Sequence, residues 1–174
     1  PDEYLERVVL IYGASKAYAM TGWRIGSAYA PMYVAKAMAA LQSHTTTGAN
    51  HPAQWAAVTA FTDERVEQDV VKMVAAFRRR RDRVVDRFRT SAPGVEFVEP
   101  TGAFYFFFRV DGVTPPHDYT GTAFCEAAMA AGVALVPGAA FGDDRWVRMS
   151  YAASDKDLET GLDRLMGLIA RLGQ

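Results

Sequence analysis

From Asp63 to about Arg89 the apolar residues Val66, Val70, Met73, Val74, Phe77, Val84, Val85 and Phe88 recur mostly three, four and seven apart. That spacing predicts one long helix with a single buried face. A helix of this length needs a second layer to cover its stripe, which confines the chain to packed helices and strands. The residues that follow can supply it. Glu96–Glu99 and Ala103–Val110 read as strands around Thr101-Gly102. Thr120–Ala131 reads as a helix closed by Gly132, and Val133–Val136 as a short strand. After a loop over Pro137–Asp144, Trp146–Tyr151 reads as another strand. Ser154 with Asp157 three residues on resembles a capping box for a last helix striped with Leu158, Leu162, Leu165, Met166, Ile169 and Leu172. The run Arg78-Arg79-Arg80-Arg81 interrupts the long stripe. Asp82 and Asp86 follow at pairing distance, so a solvated helix face is expected there rather than a basic binding patch.

The first sixty residues read differently. Val8–Tyr12 is a β-branched apolar run of the kind found in strands buried on both faces. Gly13 to Lys16 breaks it, and Ile25–Ala30 is a second short strand stopped by Pro31. Residues 31–42 suit a helix with proline in its first turn. His44–Asn50 is a polar loop, and Pro52 opens a helix to about Phe61. Two strand candidates are too few for a stable parallel sheet. The chain also opens almost directly into a buried-type strand, so this segment is expected to belong to a larger unit.

Nineteen Lys and Arg against twenty Asp and Glu give no global electrostatic case for nucleic acid or a membrane surface. No apolar run approaches the ~20 residues of a membrane span. The polar start, Pro1 to Arg7, is not expected to be a signal peptide. One cysteine, Cys125, excludes an internal disulfide, is expected to be a buried structural thiol, and suits a reducing cytoplasm. His44, His51 and His117 with that cysteine offer no metal-ligand spacing.

The stretch with chemical content is Ser15-Lys16-Ala17-Tyr18-Ala19-Met20-Thr21-Gly22-Trp23-Arg24-Ile25-Gly26. A lysine at a strand end, where water is partly removed, can attack a carbonyl as the neutral amine. Arg24 can bind a phosphate through two parallel N–H donors. Gly22 and Gly26 allow close backbone approach. On the residues alone, a surface lysine and an arginine in a polar loop fit equally well.

This string resembles the cofactor-lysine motif of class I and II aminotransferases of fold type I, the aspartate and aromatic branch in particular. The resemblance implies that Lys16 carries pyridoxal 5′-phosphate (PLP) and later moves the proton, and that Arg24 contacts the cofactor phosphate. Some relatives have a phosphate-binding serine three residues before the lysine. Gly13 stands there in this chain, leaving Ser15 as a weaker phosphate neighbour. Downstream, Phe141-Gly142 and Trp146-Val147-Arg148-Met149-Ser150-Tyr151-Ala152 are similar to the family segment that holds the substrate α-carboxylate. Arg148 is the matching residue and Arg145 a nearby decoy. Taken alone, an arginine in an apolar strand reads as half of a structural ion pair. Thr101-Gly102-Ala103-Phe104-Tyr105 is similar to a segment of the family's small domain. The loop Gln42 to Thr47 resembles a dimer-interface loop, with Thr46 or Thr47 near the neighbouring subunit's cofactor.

The resemblance spans roughly residues 7 to 173 and implies an α/β architecture. Residues 1–62 would end the large PLP-binding domain. Residues 63–174 would form the linking helix and the small α+β C-terminal domain. The implied activity is transfer of an amino group from an amino acid to a 2-oxo acid, in a homodimer. In the family, the groups that pair with the pyridine ring precede the lysine, so this chain is expected to be a fragment, inactive by itself. A lyase of the same fold, an effector domain of a regulator and an inert fragment are the alternatives.

Overall fold

The computed structural model describes Tyr4, residues 6–113 and residues 119–173; His117 and the two prolines beside it lie outside the described residues. The chain divides into two compact units, residues 1–73 and 74–174, and the division falls inside the long helix.

In the first unit β1 (Leu10–Gly13) runs into a one-turn helix α1 (Ala14–Ala17). A 3-10 turn (Thr21–Trp23) leads to β2 (Gly26–Tyr29), then α2 (Met32–Thr45) and α3 (His51–Thr62). β1 and β2 pair antiparallel, with Tyr12 opposite Ser27 and Gly13 opposite Gly26. The expected burial of the Val8–Tyr12 run on both faces is not what the structure shows. Every residue of β1 and β2 is exposed, and Ile11 keeps 81% of its surface. An apolar run buries itself only where other elements cover it. Among the described residues this sheet has two strands, and a two-stranded ribbon has two open faces. α2 runs through His44 and Thr45, three residues beyond its expected end, with Pro31 as its N-cap. Asn50 caps α3 by accepting the Ala53 amide at 3.0 Å.

The second unit has one continuous core. α4 (Glu64–Ser91) enters it with Val84, Val85 and Phe88 buried. The sheet orders β3 (Phe97–Val98), β4 (Tyr105–Arg109), β6 (Trp146–Ser150) and β5 (Val136–Pro137), with each neighbouring pair antiparallel. Alternation sorts its side chains. Phe106, Phe108, Val147 and Met149 point into the core, while Tyr105, Phe107, Trp146 and Arg148 stand half-buried on the other face. Phe88 packs on Phe106 and Phe108 at ring distances of 4.5 and 4.9 Å. α5 (Gly121–Ala130) adds Phe124, and α6 (Asp155–Leu172) adds Leu162 and Leu165. Burying each such side chain stabilises the fold by roughly 1.5–3 kcal/mol. Gly132 closes α5 at φ +77°, a left-handed position that glycine takes at little cost. The strand expected at Val133–Val136 reduces to Val136–Pro137, and the expected loop after it contains a 3-10 turn, Gly138–Phe141.

The arginine run is a solvated face, but its partners differ from those expected. Arg81 pairs with Asp82, whereas Arg80 reaches Asp155, Arg83 reaches Glu159, and Arg87 reaches Glu159 and Asp163. The carboxylates along one side of α6 thus take most of the charge, and among the described residues Asp86 pairs with none of these arginines.

Candidate active site

Lys16 sits in α1, directly after β1, and is exposed. Ala14, two residues earlier, is fully buried and anchors the turn. Ser15 is half-buried, and its carbonyl accepts the Thr21 hydroxyl at 3.0 Å. The Thr21 carbonyl in turn accepts Arg24 Nη1 at 3.0 Å. Two hydrogen bonds therefore lace the lysine turn to the arginine turn, and the residues Ser15, Lys16 and Arg24 belong to one local structure.

Arg24 holds a left-handed backbone, φ +52° and ψ +47°. For a residue with a Cβ this costs on the order of 1–2 kcal/mol, and such positions persist where surrounding contacts over-determine them. The two glycines of the motif differ. A Cβ on Gly26 would lie 2.8 Å from the Tyr12 carbonyl oxygen, so the bare backbone is what lets β2 close on β1. A Cβ on Gly22 would meet nothing within 4 Å.

Arg148 stands at the middle of β6, in the second unit, opposite Phe107 on β4 and Val136 on β5. Its guanidinium carbon lies 4.1 Å from the Tyr105 ring centre and 4.6 Å from that of Phe141. Among the described residues no carboxylate pairs with it. Arg145 is the opposite case: its guanidinium holds both oxygens of Asp143, with the shortest contact at 2.6 Å. That hydrogen bonding pulls the Asp143 carboxyl down to about 2. The decoy is spent on an internal pair, and Arg148 keeps its donors.

Sequence reasoning passed over the roles of Tyr105 and Phe141. Both lay inside quoted motifs, but their contact with Arg148 depends on the β4–β6 register and on the turn ending at Phe141. The signal that could have found it is the alternation on β4, which puts Tyr105 on the face opposite the Phe106–Phe108 core. Thr46 caps the end of α2, and Thr47 takes φ +66°; both are exposed. The Cys125 thiol is half-buried and pushed up to about 11, first by desolvation and then by the nearby Asp144 charge, which suits a structural thiol. Among the described residues no cluster of His, Cys, Asp and Glu could hold a metal ion, and no helix is long and apolar enough to cross a membrane.

The family model for "Aminotransferase class I and II" matches residues 2–165. The aspartate/prephenate aminotransferase of Thermus thermophilus is 39% identical over 167 residues, covering 95% of this chain and 42% of the relative. The aspartate aminotransferase of Thermotoga maritima is 43% identical over 165 residues, covering 94% and 40%. Solved structures agree. The aromatic aminotransferase of Pyrococcus horikoshii superposes with a TM-score of 0.88 at 35% identity, over 96% of this chain and 44% of that one. The Thermus thermophilus aspartate aminotransferase with maleate gives 0.84 at 38% identity, over 94% and 42%. The chain spans about two-fifths of the length of the curated relatives it matches. Over that span it has the fold of fold type I enzymes, and the chain belongs to the PLP-dependent class I and II aminotransferase family.

Proposed function

We propose that this chain is the C-terminal part of an aminotransferase that moves an amino group from an amino acid to a 2-oxo acid, with Lys16 as the cofactor lysine. The observation that carries this reading is the hydrogen-bonded pair of turns, Ser15–Thr21–Arg24, which fixes a guanidinium relative to the lysine it accompanies.

The donor set fits PLP. A primary amine at a strand end suits its aldehyde, and a planar guanidinium in the same local structure suits its phosphate. When bound, PLP supplies an aldehyde that takes up the amino group and a ring that accepts electrons from the substrate α-carbon. The chain's own residues would supply part of the rest. Lys16 Nζ would hold the cofactor, and the same amine would be the base that moves the proton from the substrate α-carbon. Arg24 anchors the phosphate, and Ser15 lends a weaker contact. Arg148 would clamp the substrate α-carboxylate through paired N–H donors. The names of the relatives include aspartate and aromatic substrates; both classes carry that carboxylate.

Residues 1–62 are proposed to end the large cofactor domain, and 63–174 to form the linking helix and small domain. A cytoplasmic homodimer is the proposed setting. The single cysteine supports a reducing compartment, and the resemblance of the Gln42–Thr47 loop to a dimer-interface loop supports the partner subunit.

The test is to saturate the protein with PLP, reduce with borohydride and map the pyridoxyl mass. The four lysines are Lys16, Lys36, Lys72 and Lys156. Modification concentrated on Lys16, and lowered by Arg24→Gln, is the expected result. Label spread evenly over all four, or absent from Lys16, overturns the assignment.

A further inference from the structure

We propose that Tyr105 and Phe141 are positioning residues for Arg148, holding its guanidinium by ring contact so that its N–H donors stay free for a substrate carboxylate. This rests on reading Arg148 as the carboxylate clamp.

A half-buried arginine in a strand is ordinarily fixed by a carboxylate, which also neutralises it. Arg109, the other half-buried arginine on the described strands of this sheet, follows that rule and is held by Asp111 and Glu96. Arg148 does not. Among the described residues its side chain donates to no acceptor, yet it is half-buried. Two rings lie against its guanidinium, with their centres 4.1 and 4.6 Å from the guanidinium carbon. Aromatic faces attract a cation without occupying its donors, which project in the guanidinium plane.

The rings are themselves held. Phe141 meets Phe107 edge to face at 6.0 Å and 90°, and Phe107 stacks on Trp146 at 5.2 Å and 7°. Tyr105 packs against Phe104 at 4.7 Å. An aromatic tier along one sheet face thus fixes a charged group without spending its charge. A carboxylate meeting a guanidinium already fixed loses less rotamer freedom on binding than one meeting a mobile chain.

The experiment uses the PLP-loaded protein and maleate as the dicarboxylate probe. Phenylglyoxal modification of Arg148 is followed by mass, with Arg145 as internal control. Maleate is expected to protect Arg148 in the unaltered protein. In Phe141→Leu, half-protection is expected to need about ten-fold more maleate, and similarly in Tyr105→Leu. Tyr105→Phe keeps the ring and is expected to keep protection, a rescue that a merely space-filling role would not distinguish from leucine. Phe141 is half exposed, so its replacement leaves the core intact. Equal protection in the unaltered protein and both leucine variants overturns the positioning role while leaving the clamp standing. No protection in the unaltered protein overturns the clamp, and the positioning role with it.

Discussion

At Arg24 the backbone takes a left-handed turn that glycine would accept at lower cost, and two residues later a glycine stands where no side chain fits. The two positions are not interchangeable. Arg24 trades backbone comfort for a guanidinium tied to Thr21, whereas Gly26 gives up a side chain so that β2 can approach Tyr12. Gly26→Ala is expected to cost about 1–3 kcal/mol, because the atom it meets is a backbone carbonyl that cannot swing away. Urea unfolding of the variant checks this; an unchanged midpoint would mean that β2 shifts freely. The motif showed that glycines were present without telling them apart. Gly22 and Gly26 look alike in the sequence, and only the strand pairing reveals which one is crowded. For Arg145 and Arg148 the resemblance already separated the two, and the structure adds that Asp143 holds Arg145.

At the scale of elements, the helices with strong stripes were legible nearly to their ends, whereas the short strands were legible as runs but not in their extent. The 63–89 pattern appears as Glu64–Ser91, because a long amphipathic face repeats its signal over seven turns. β3 and β5 are two residues each, shorter than the expected Glu96–Glu99 and Val133–Val136, because so short a strand carries no alternation to mark its ends. The last helix shows how local chemistry sets a boundary. Ser154 accepts the Asp157 amide at 3.1 Å, which caps the helix, and donates its hydroxyl to the Asp157 carboxylate at 2.7 Å, a bond to the side chain rather than the backbone bond of a capping box. Asp155 and Asp157 also sit in the first turn, where negative charge meets the positive end of the helix dipole. Ser154→Ala is expected to destabilise the protein by about 1 kcal/mol. Thermal denaturation followed by circular dichroism reads this out; a shift no larger than that of a neighbouring exposed alanine substitution would show the cap to be idle. The arginine seam points the same way: its partners lie on α6, and the sequence, read in one dimension, offered only Asp82 and Asp86.

Across the whole molecule the two units differ in what their apolar residues do. In residues 74–174 the large ones converge: Phe88, Phe106, Phe108, Phe124, Leu162 and Leu165 are all fully buried in one cluster. In residues 1–73 many remain exposed, among them Ile11, Tyr12, Tyr29, Leu41, Trp55 and Phe61. Apolar content alone could not separate these cases, since both halves are rich in it; burial depends on which elements are present to cover a face. Local opening is cheapest where few apolar contacts guard a hydrogen bond. The amides of β4 and β6 are therefore expected to exchange with deuterium at least about 100-fold more slowly than those of β1 and β2. Hydrogen exchange mapped by peptide mass tests this directly. Similar rates in the two strand pairs would mean that the β1–β2 ribbon is guarded as well as the core, against its exposure. The expected asymmetry bears on function, because Lys16 and Arg24 ride on the weakly guarded ribbon while Arg148 rides on the strongly guarded sheet. If so, loading with PLP should slow exchange across residues 10–29 and leave the centre of β6 unchanged, since a ligand protects most where opening is easiest and where it binds.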